Sequence, residues 1–353
     1  MHDGEGVGAL SRSRLATALA GGLPLPEGDV LALRPPAVAD LTALPRGRWR
    51  IHHGNRPDRD AWAGAGYRIE DEPGPAAAAL VCLPRSKALA RGLVALAAAL
   101  APLVLVDGQR EDGIDSLRRD LRERRPGAEG LAQGHGRLLW FAGGAGFEDW
   151  ALPGPARGAE GWWTQAGVFA AEGVDRGSAL LAAALPARLA ARMADLGAGI
   201  GVLSRAVLAR QGVEALDVVE AERLALDCAR LNLPDPRARF RWEDATAAPL
   251  GPYDGIVMNP PFHAGARAAE PGLGRAFIAA AARALAPRGE IWMVANRHLP
   301  YEAALAEAFR GWEEVGGDGG FKLLHAREPK VARGAARSVV RDRAPRRRGR
   351  HSG

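Results

Sequence analysis

The sequence predicts a two-domain α/β protein. Each domain is expected to be an open sheet flanked by helices, with a ligand crevice in the second and a degenerate copy in the first. Three observations predict this. Residues 193–208 read as a strand end, a glycine-rich turn and a helix. Residues 256–262 read as a short buried strand that stops in Asn259-Pro260-Pro261-Phe262. The order strand, proline-containing turn, helix, strand occurs in both halves of the chain.

In the first half, Ala79-Leu80-Val81-Cys82 is a compact apolar run of strand type, followed by Leu83-Pro84-Arg85, which is expected to stand where the second half has Asn259-Pro260-Pro261. An Ala/Leu stretch then reads as a helix, and Pro102 ends it before the apolar run 103–106. Residues 143–161 hold six glycines and two prolines, a loop composition that marks the domain boundary. In the second half, Gly197, Gly199 and Gly201 alternate after the acidic Asp195, and residues 202–208 continue as an apolar helix. Glycine lets a backbone turn sharply and approach a ligand closely. The G-x-G-x-G spacing differs from the G-x-G-x-x-G of a dinucleotide-binding loop. Residues 215–219 form the next strand, with Glu220 at its end. Residues 239–242 form a third, followed by Glu243-Asp244. After the Asn-Pro-Pro turn, an Ala-rich helix to Leu285 and a strand over 290–294 complete the unit. The expected domains are 1–160, 161–329 and a tail over 330–353.

The chemistry is read from the turn. Two consecutive prolines neither continue a ladder nor enter a helix interior, so the backbone there is stiff. In open α/β sheets the crevice outside the strands' carboxyl ends is where ligands bind. A rigid turn can aim the Asn259 amide oxygen and the Pro260 carbonyl at one planar NH2 group, with Phe262 flat on the ring that carries it. Such an amine shares its lone pair with the adjacent π-system and is a poor nucleophile. Two acceptors on its hydrogens return density to nitrogen without a strong base. Glu220 suits the two ribose hydroxyls of an adenosine ligand, and Asp244 suits an adenine amino group.

Asp195 with its glycine loop, Glu220, Asp244 and Asn259-Pro260-Pro261-Phe262 together resemble a class I S-adenosylmethionine-dependent methyltransferase acting on amino groups. Further runs narrow the resemblance: Thr164-Gln165-Ala166-Gly167-Val168-Phe169, Val174-Asp175-Arg176-Gly177-Ser178-Ala179-Leu180-Leu181, Val294-Ala295-Asn296-Arg297-His298-Leu299-Pro300-Tyr301 and Gly320-Phe321-Lys322. Over roughly residues 76–326 the chain is similar to the ribosomal RNA small subunit methyltransferase C family. The resemblance implies two tandem Rossmann-like methyltransferase domains, the amino-terminal one degenerate and used for substrate binding. It implies guanine-N2 methylation of small-subunit rRNA, with ribosomal RNA or a ribosomal subunit as partner and a monomeric protein. The implied S-adenosylmethionine site comprises Asp195, Gly197, Gly199, Gly201, Glu220, Asp244 and Asn259. The implied catalytic set is Asn259, Pro260 and Phe262, and no metal is involved. Two readings stay beside it, a glutamine-amide methyltransferase acting on a translation factor and a methyltransferase for a large-subunit rRNA guanine.

Composition excludes other classes. The 353 residues are 47% hydrophobic, enough to bury large cores. No uncharged apolar run reaches the roughly 18 residues of a membrane span. The start, Met1-His2-Asp3-Gly4-Glu5, lacks the basic and apolar segments of a secretory signal. Cys82 and Cys228 are the two cysteines, too few for a disulfide framework or a thiolate metal cluster. A reducing, cytoplasmic setting is expected. Net charge is +6. Residues 330–353 carry nine Lys/Arg against one Asp, a net of +8, which leaves −2 for the rest. Arg85, Lys87, Arg110, His135 and Arg137 are candidate RNA contacts on the first domain.

Overall fold

The computed structural model describes residues 13–169, 173–261 and 271–330. The tail expected over 330–353 lies outside them beyond Lys330, as does Phe262.

The first sheet contains β1 (Val30–Leu33), β2 (Trp49–His52), β3 (Arg68–Ile69), β4 (Ala78–Cys82), β5 (Leu103–Gln109), β6 (Glu129–Gln133) and β7 (Gly136–Ala142). A short ribbon, β8 (Ala156–Arg157) with β9 (Trp163–Thr164), follows. The second sheet contains β10 (Arg192–Leu196), β11 (Ala215–Glu220), β12 (Ala238–Trp242), β13 (Tyr253–Met258), β14 (Leu285–Asn296), β15 (Phe309–Gly317) and β16 (Phe321–Pro329). The strand orders are β3-β2-β1-β4-β5-β7-β6 and β12-β11-β10-β13-β14-β16-β15, the same order twice. In each sheet the first four neighbouring pairs are parallel and the last two antiparallel, so β7 and β16 run against the other strands of their sheets. The helices are α1 (Arg14–Ala20), α2 (Arg56–Gly64), α3 (Lys87–Leu100), α4 (Ile114–Arg124), α5 (Arg176–Ala184), α6 (Val202–Leu208), α7 (Arg223–Asn232), α8 (Pro271–Ala284) and α9 (Glu302–Ala308).

Parallel strands covered on both faces read as continuous apolar runs, and the packing shows why. In β1, Leu31 and Leu33 join α3 and α4 on one face, while Val30 and Ala32 join Trp49, Ile51 and Trp62 on the other. In the second sheet, Ile256 and Met258 pack with α8 and α9, while Val257 meets α6 and α7. Each domain is thus helix, sheet, helix. None of the described helices is long and apolar enough to cross a membrane.

Two expectations need correction. The helix before β14 ends at Ala284, and strand pairing starts at Leu285 rather than Glu290. Leu285 pairs with Tyr253, then the register jumps so that Glu290 meets Gly255. Pro287 has no N–H to donate, and the intervening residues bulge instead of pairing. The second correction concerns the echo. Leu33 lies opposite His52 and Val81, as Leu196 lies opposite Val219 and Met258. Val81 therefore matches Met258, and Cys82, not Leu83, stands where Asn259 stands. A turn motif compared by eye slips easily by one residue, whereas strand register does not.

Candidate active site

In the second sheet the chain adds β11 and β12 on one side of β10, then crosses to place β13 on the other. That reversal is the switch point where open sheets form ligand crevices. The glycine loop leaves β10 on one side of it, and the Asn-Pro-Pro turn leaves β13 on the other.

Asp195 is fully buried near the end of β10. The Ser204 hydroxyl of α6 donates to its Oδ2 at 2.7 Å, and Oδ1 is buried with no partner among the described residues. Gly197, Gly199 and Gly201 all have left-handed backbones, with φ of 73°, 56° and 92°. A Cβ on Gly199 would meet nothing within 4 Å, so the loop faces open space there. At Gly201 a Cβ would come within 2.8 Å of Leu233, so α6 can pack on the end of α7 only over a glycine.

Glu220 ties this loop to the next. Its Oε2 accepts from the Gly199 N–H and its Oε1 from the Glu222 N–H, both at 2.7 Å. Burial raises its pKa, and the two backbone donors oppose that rise. Asp244 follows β12, and its Oδ1 accepts from the Thr246 N–H at 2.8 Å and the Thr246 hydroxyl at 2.7 Å.

Asn259 lies one residue past β13. Its Nδ2 donates to Asp175 Oδ2 and to Ser178 Oγ, each at 2.9 Å. Asp175 is the N-cap of α5, and the same Oδ2 accepts from the Ser178 N–H. A carboxylate accepts only, so it selects the NH2 side of the amide. The Asn259 Oδ1 is thereby left buried and unpartnered among the described residues. Pro260 is buried and Pro261 exposed.

Asp195, Gly197, Gly199, Gly201, Glu220, Asp244, Asn259 and Pro260 thus line the carboxyl edge of one sheet. Asp175 and Ser178 lie in the run 174–181, but nothing in the sequence alone gives them a role at the site. An Asp just before a helical run signals an N-cap. Only the fold shows that the cap also anchors an amide 84 residues away. The basic candidates on the first domain are partly engaged. Arg137 lies 2.6 Å and Arg110 3.7 Å from Asp115, and Lys87 lies 3.6 Å from Asp120.

Burial pushes the Asp195 carboxyl from an ordinary 3.8 up to about 7. The folded protein therefore holds this proton more tightly than the unfolded chain. The resulting stabilisation is complete below about pH 4 and is lost as pH rises to about 7. Asp195→Asn, melted without ligand, should lose less stability over that interval than the wild type, and the two melting curves should separate as pH rises. Parallel pH dependences would contradict a buried, proton-holding Asp195.

Fold and crevice define a methyltransferase-type α/β protein, duplicated in tandem. A family model for the methyltransferase small domain matches residues 161–325. The ribosomal RNA small subunit methyltransferase C of Shewanella oneidensis is 33% identical over 244 residues, 65% of this chain and 71% of that protein. The chain belongs to the ribosomal RNA small subunit methyltransferase C family. For the protein of that name from Shewanella sp. strain MR-4, the match is 37% identical over 145 residues and spans 42% of its length. The ribosomal RNA large subunit methyltransferase G of Pseudomonas aeruginosa is 39% identical over 167 residues, 46% of this chain and 44% of that protein. Among solved structures, the T. thermophilus 16S rRNA N2 G1207 methyltransferase, in complex with AdoMet and guanosine, superposes with a TM-score of 0.73. The superposition covers 90% of this chain and 92% of that one at 22% identity, a likeness of fold.

Proposed function

We propose that this protein transfers a methyl group from S-adenosylmethionine to the exocyclic N2 amine of a guanine in small-subunit rRNA. The observation that carries this reading is the Asn259 amide, whose NH2 is held by Asp175 and Ser178 while its Oδ1 is buried with no partner among the described residues. A buried acceptor without a donor is costly, and an incoming amine hydrogen removes that cost.

The residues present suit S-adenosylmethionine. Gly199 opens onto space, Glu220 offers a carboxylate for ribose hydroxyls, Asp244 one for an adenine amine, and Asp195 holds the loop. When bound, the sulfonium supplies an activated methyl group. The protein's part is to receive a guanine that has left its stack, at a cost of a few kcal/mol, and to hold its N2 in line. Asn259 Oδ1 and the Pro260 carbonyl accept from the amine hydrogens, and Phe262 stacks on the base. Catalysis of this kind works through positioning and electrostatics. In this reading residues 161–329 are the catalytic domain, 1–160 hold RNA, 330–353 are a basic tail, and the protein acts as a monomer.

A second reading, a guanine of the large subunit, draws on the likeness to the Pseudomonas protein. Oligonucleotide mass spectrometry of both rRNAs from cells lacking the protein separates them. Loss of one N2-methylguanosine from small-subunit RNA is expected. Loss from large-subunit RNA would favour the second reading, and an unchanged pattern in both would reject the two together.

A further inference from the structure

The two domains meet through equivalent loops. Gly54-Asn55-Arg56 follows β2, and Ala221-Glu222-Arg223 follows β11, its counterpart in the other sheet. The Arg56 N–H donates to the Ala221 carbonyl, and the Arg223 N–H donates to the Gly54 carbonyl, both at 2.9 Å. Asn55 and Glu222 face each other as an isolated antiparallel bridge. The contact is therefore a local two-fold exchange in which each domain's second loop pairs with the other's. Trp242, at the end of β12, closes it. Its indole N–H donates to Ala221 O at 2.8 Å and Gly54 O at 3.1 Å, and Arg56, Arg59 and Arg223 lie over its ring.

The equivalence extends into the crevices. The Arg34 N–H donates to His52 O as the Gly197 N–H donates to Val219 O, both at 2.9 Å. Arg34 thus stands where the second domain has Gly197, and it shares the left-handed backbone, with φ 55° against 73°. Ala32 stands at the position of Asp195 and His53 at that of Glu220. The first domain has lost the features of a cofactor crevice, and an arginine now occupies its first glycine position. That arginine points across the interface. Its Nη2 and Nη1 donate to Glu222 Oε2 at 2.6 Å and Oε1 at 3.2 Å, with both side chains 17% exposed. The pair lies close over the loop: a Cβ on Gly54 would stand 2.9 Å from Glu222 Oε1 and 3.0 Å from Arg34 Nη1, so a side chain there would push the ends of both aside.

Glu222 is also the residue whose backbone N–H holds Glu220 Oε1. We infer that Arg34 is a positioning residue for Glu220, so that the degenerate domain sets the affinity of the crevice in the other domain. The inference rests on the reading of Glu220 as a ligand-holding carboxylate. It makes the first domain more than an RNA platform: its own crevice has become a brace that fixes the loop carrying Glu220.

The test is calorimetric titration of the full-length protein with S-adenosylmethionine, alongside steady-state methylation of RNA. Arg34→Ala should weaken S-adenosylmethionine binding about fivefold to tenfold, a usual size for coupling between distinct sites. The KM for S-adenosylmethionine should rise by a similar factor, with a smaller change in kcat. Arg34→Lys should recover part of the loss. Glu222→Gln reads the same contact if Arg34→Ala fails to fold, and the double variant should be no worse than the weaker single one, because both remove one interaction. Wild type that gives no binding heat would overturn the reading of Glu220 and this inference with it. Wild type that binds, with folded Arg34→Ala and Glu222→Gln binding equally well, would overturn the inference alone. Additive losses in the double variant would also overturn it.

Discussion

Asn259→Ala lowers turnover by about a hundredfold or more, the scale seen when one positioned polar group is removed from a site, and leaves S-adenosylmethionine affinity nearly unchanged. The expectation follows from where the two ends of the amide point. Nδ2 is used up by Asp175 and Ser178, and Oδ1 is held at the carboxyl edge of β13 with no partner among the described residues. Truncation removes the acceptor and leaves the glycine loop and Glu220, which lie across the switch point, as they were. Single-turnover methylation at saturating S-adenosylmethionine, paired with calorimetry, separates the two effects. A variant that methylates at a near-normal rate would mean that Oδ1 is not the acceptor.

Gly197→Arg abolishes detectable S-adenosylmethionine binding while the protein still folds. The chain tolerates an arginine in this backbone geometry, because Arg34 already occupies the equivalent position with φ 55°. The crevice does not tolerate it. Gly197 has φ 73° and opens the loop that leaves β10 beside the crevice, and a Cβ there would already press within 3.3 Å of Phe277, so a long charged side chain has to be placed at the expense of the loop's close approach to ligand. Thermal melting should show a cooperative transition, and calorimetry should show no heat where the wild type gives a one-to-one isotherm. Binding within tenfold of wild type would contradict a ligand over this loop.

The parts of this architecture legible in the sequence are those whose signals are local. The glycine loop and the helix over 202–208 follow within a few residues of Asp195. Glu220 closes β11 and Asp244 follows β12 by two residues, and Asn259-Pro260-Pro261 is a stiff turn by its own chemistry. The internal echo showed at β4-α3-β5 because both copies keep an apolar strand and an Ala-rich helix. It did not show at β1 and β2, where the first copy has Arg34-Pro35-Pro36 in place of glycines and strands of only four residues. The antiparallel pairs at the end of each sheet were not foreseen either, since hairpin pairing depends on partners as well as pattern. Contacts that carry the finer argument are remote in sequence. Asp175 and Asn259 are 84 residues apart, and Arg34 and Glu222 are 188 apart. No window along the chain holds both partners, so only the fold reveals that a helix cap orients an amide and that an arginine braces a loop in the other domain.

Full-length protein incubated with isotopically labelled S-adenosylmethionine and small ribosomal subunits from cells lacking it, followed by nucleoside mass spectrometry, tests guanine-N2 transfer most directly. The label is expected in N2-methylguanosine of the small-subunit RNA, and it should vanish with Asn259→Ala. Label in any other nucleoside, in a glutamine side chain of a protein, or nowhere at all would contradict the account.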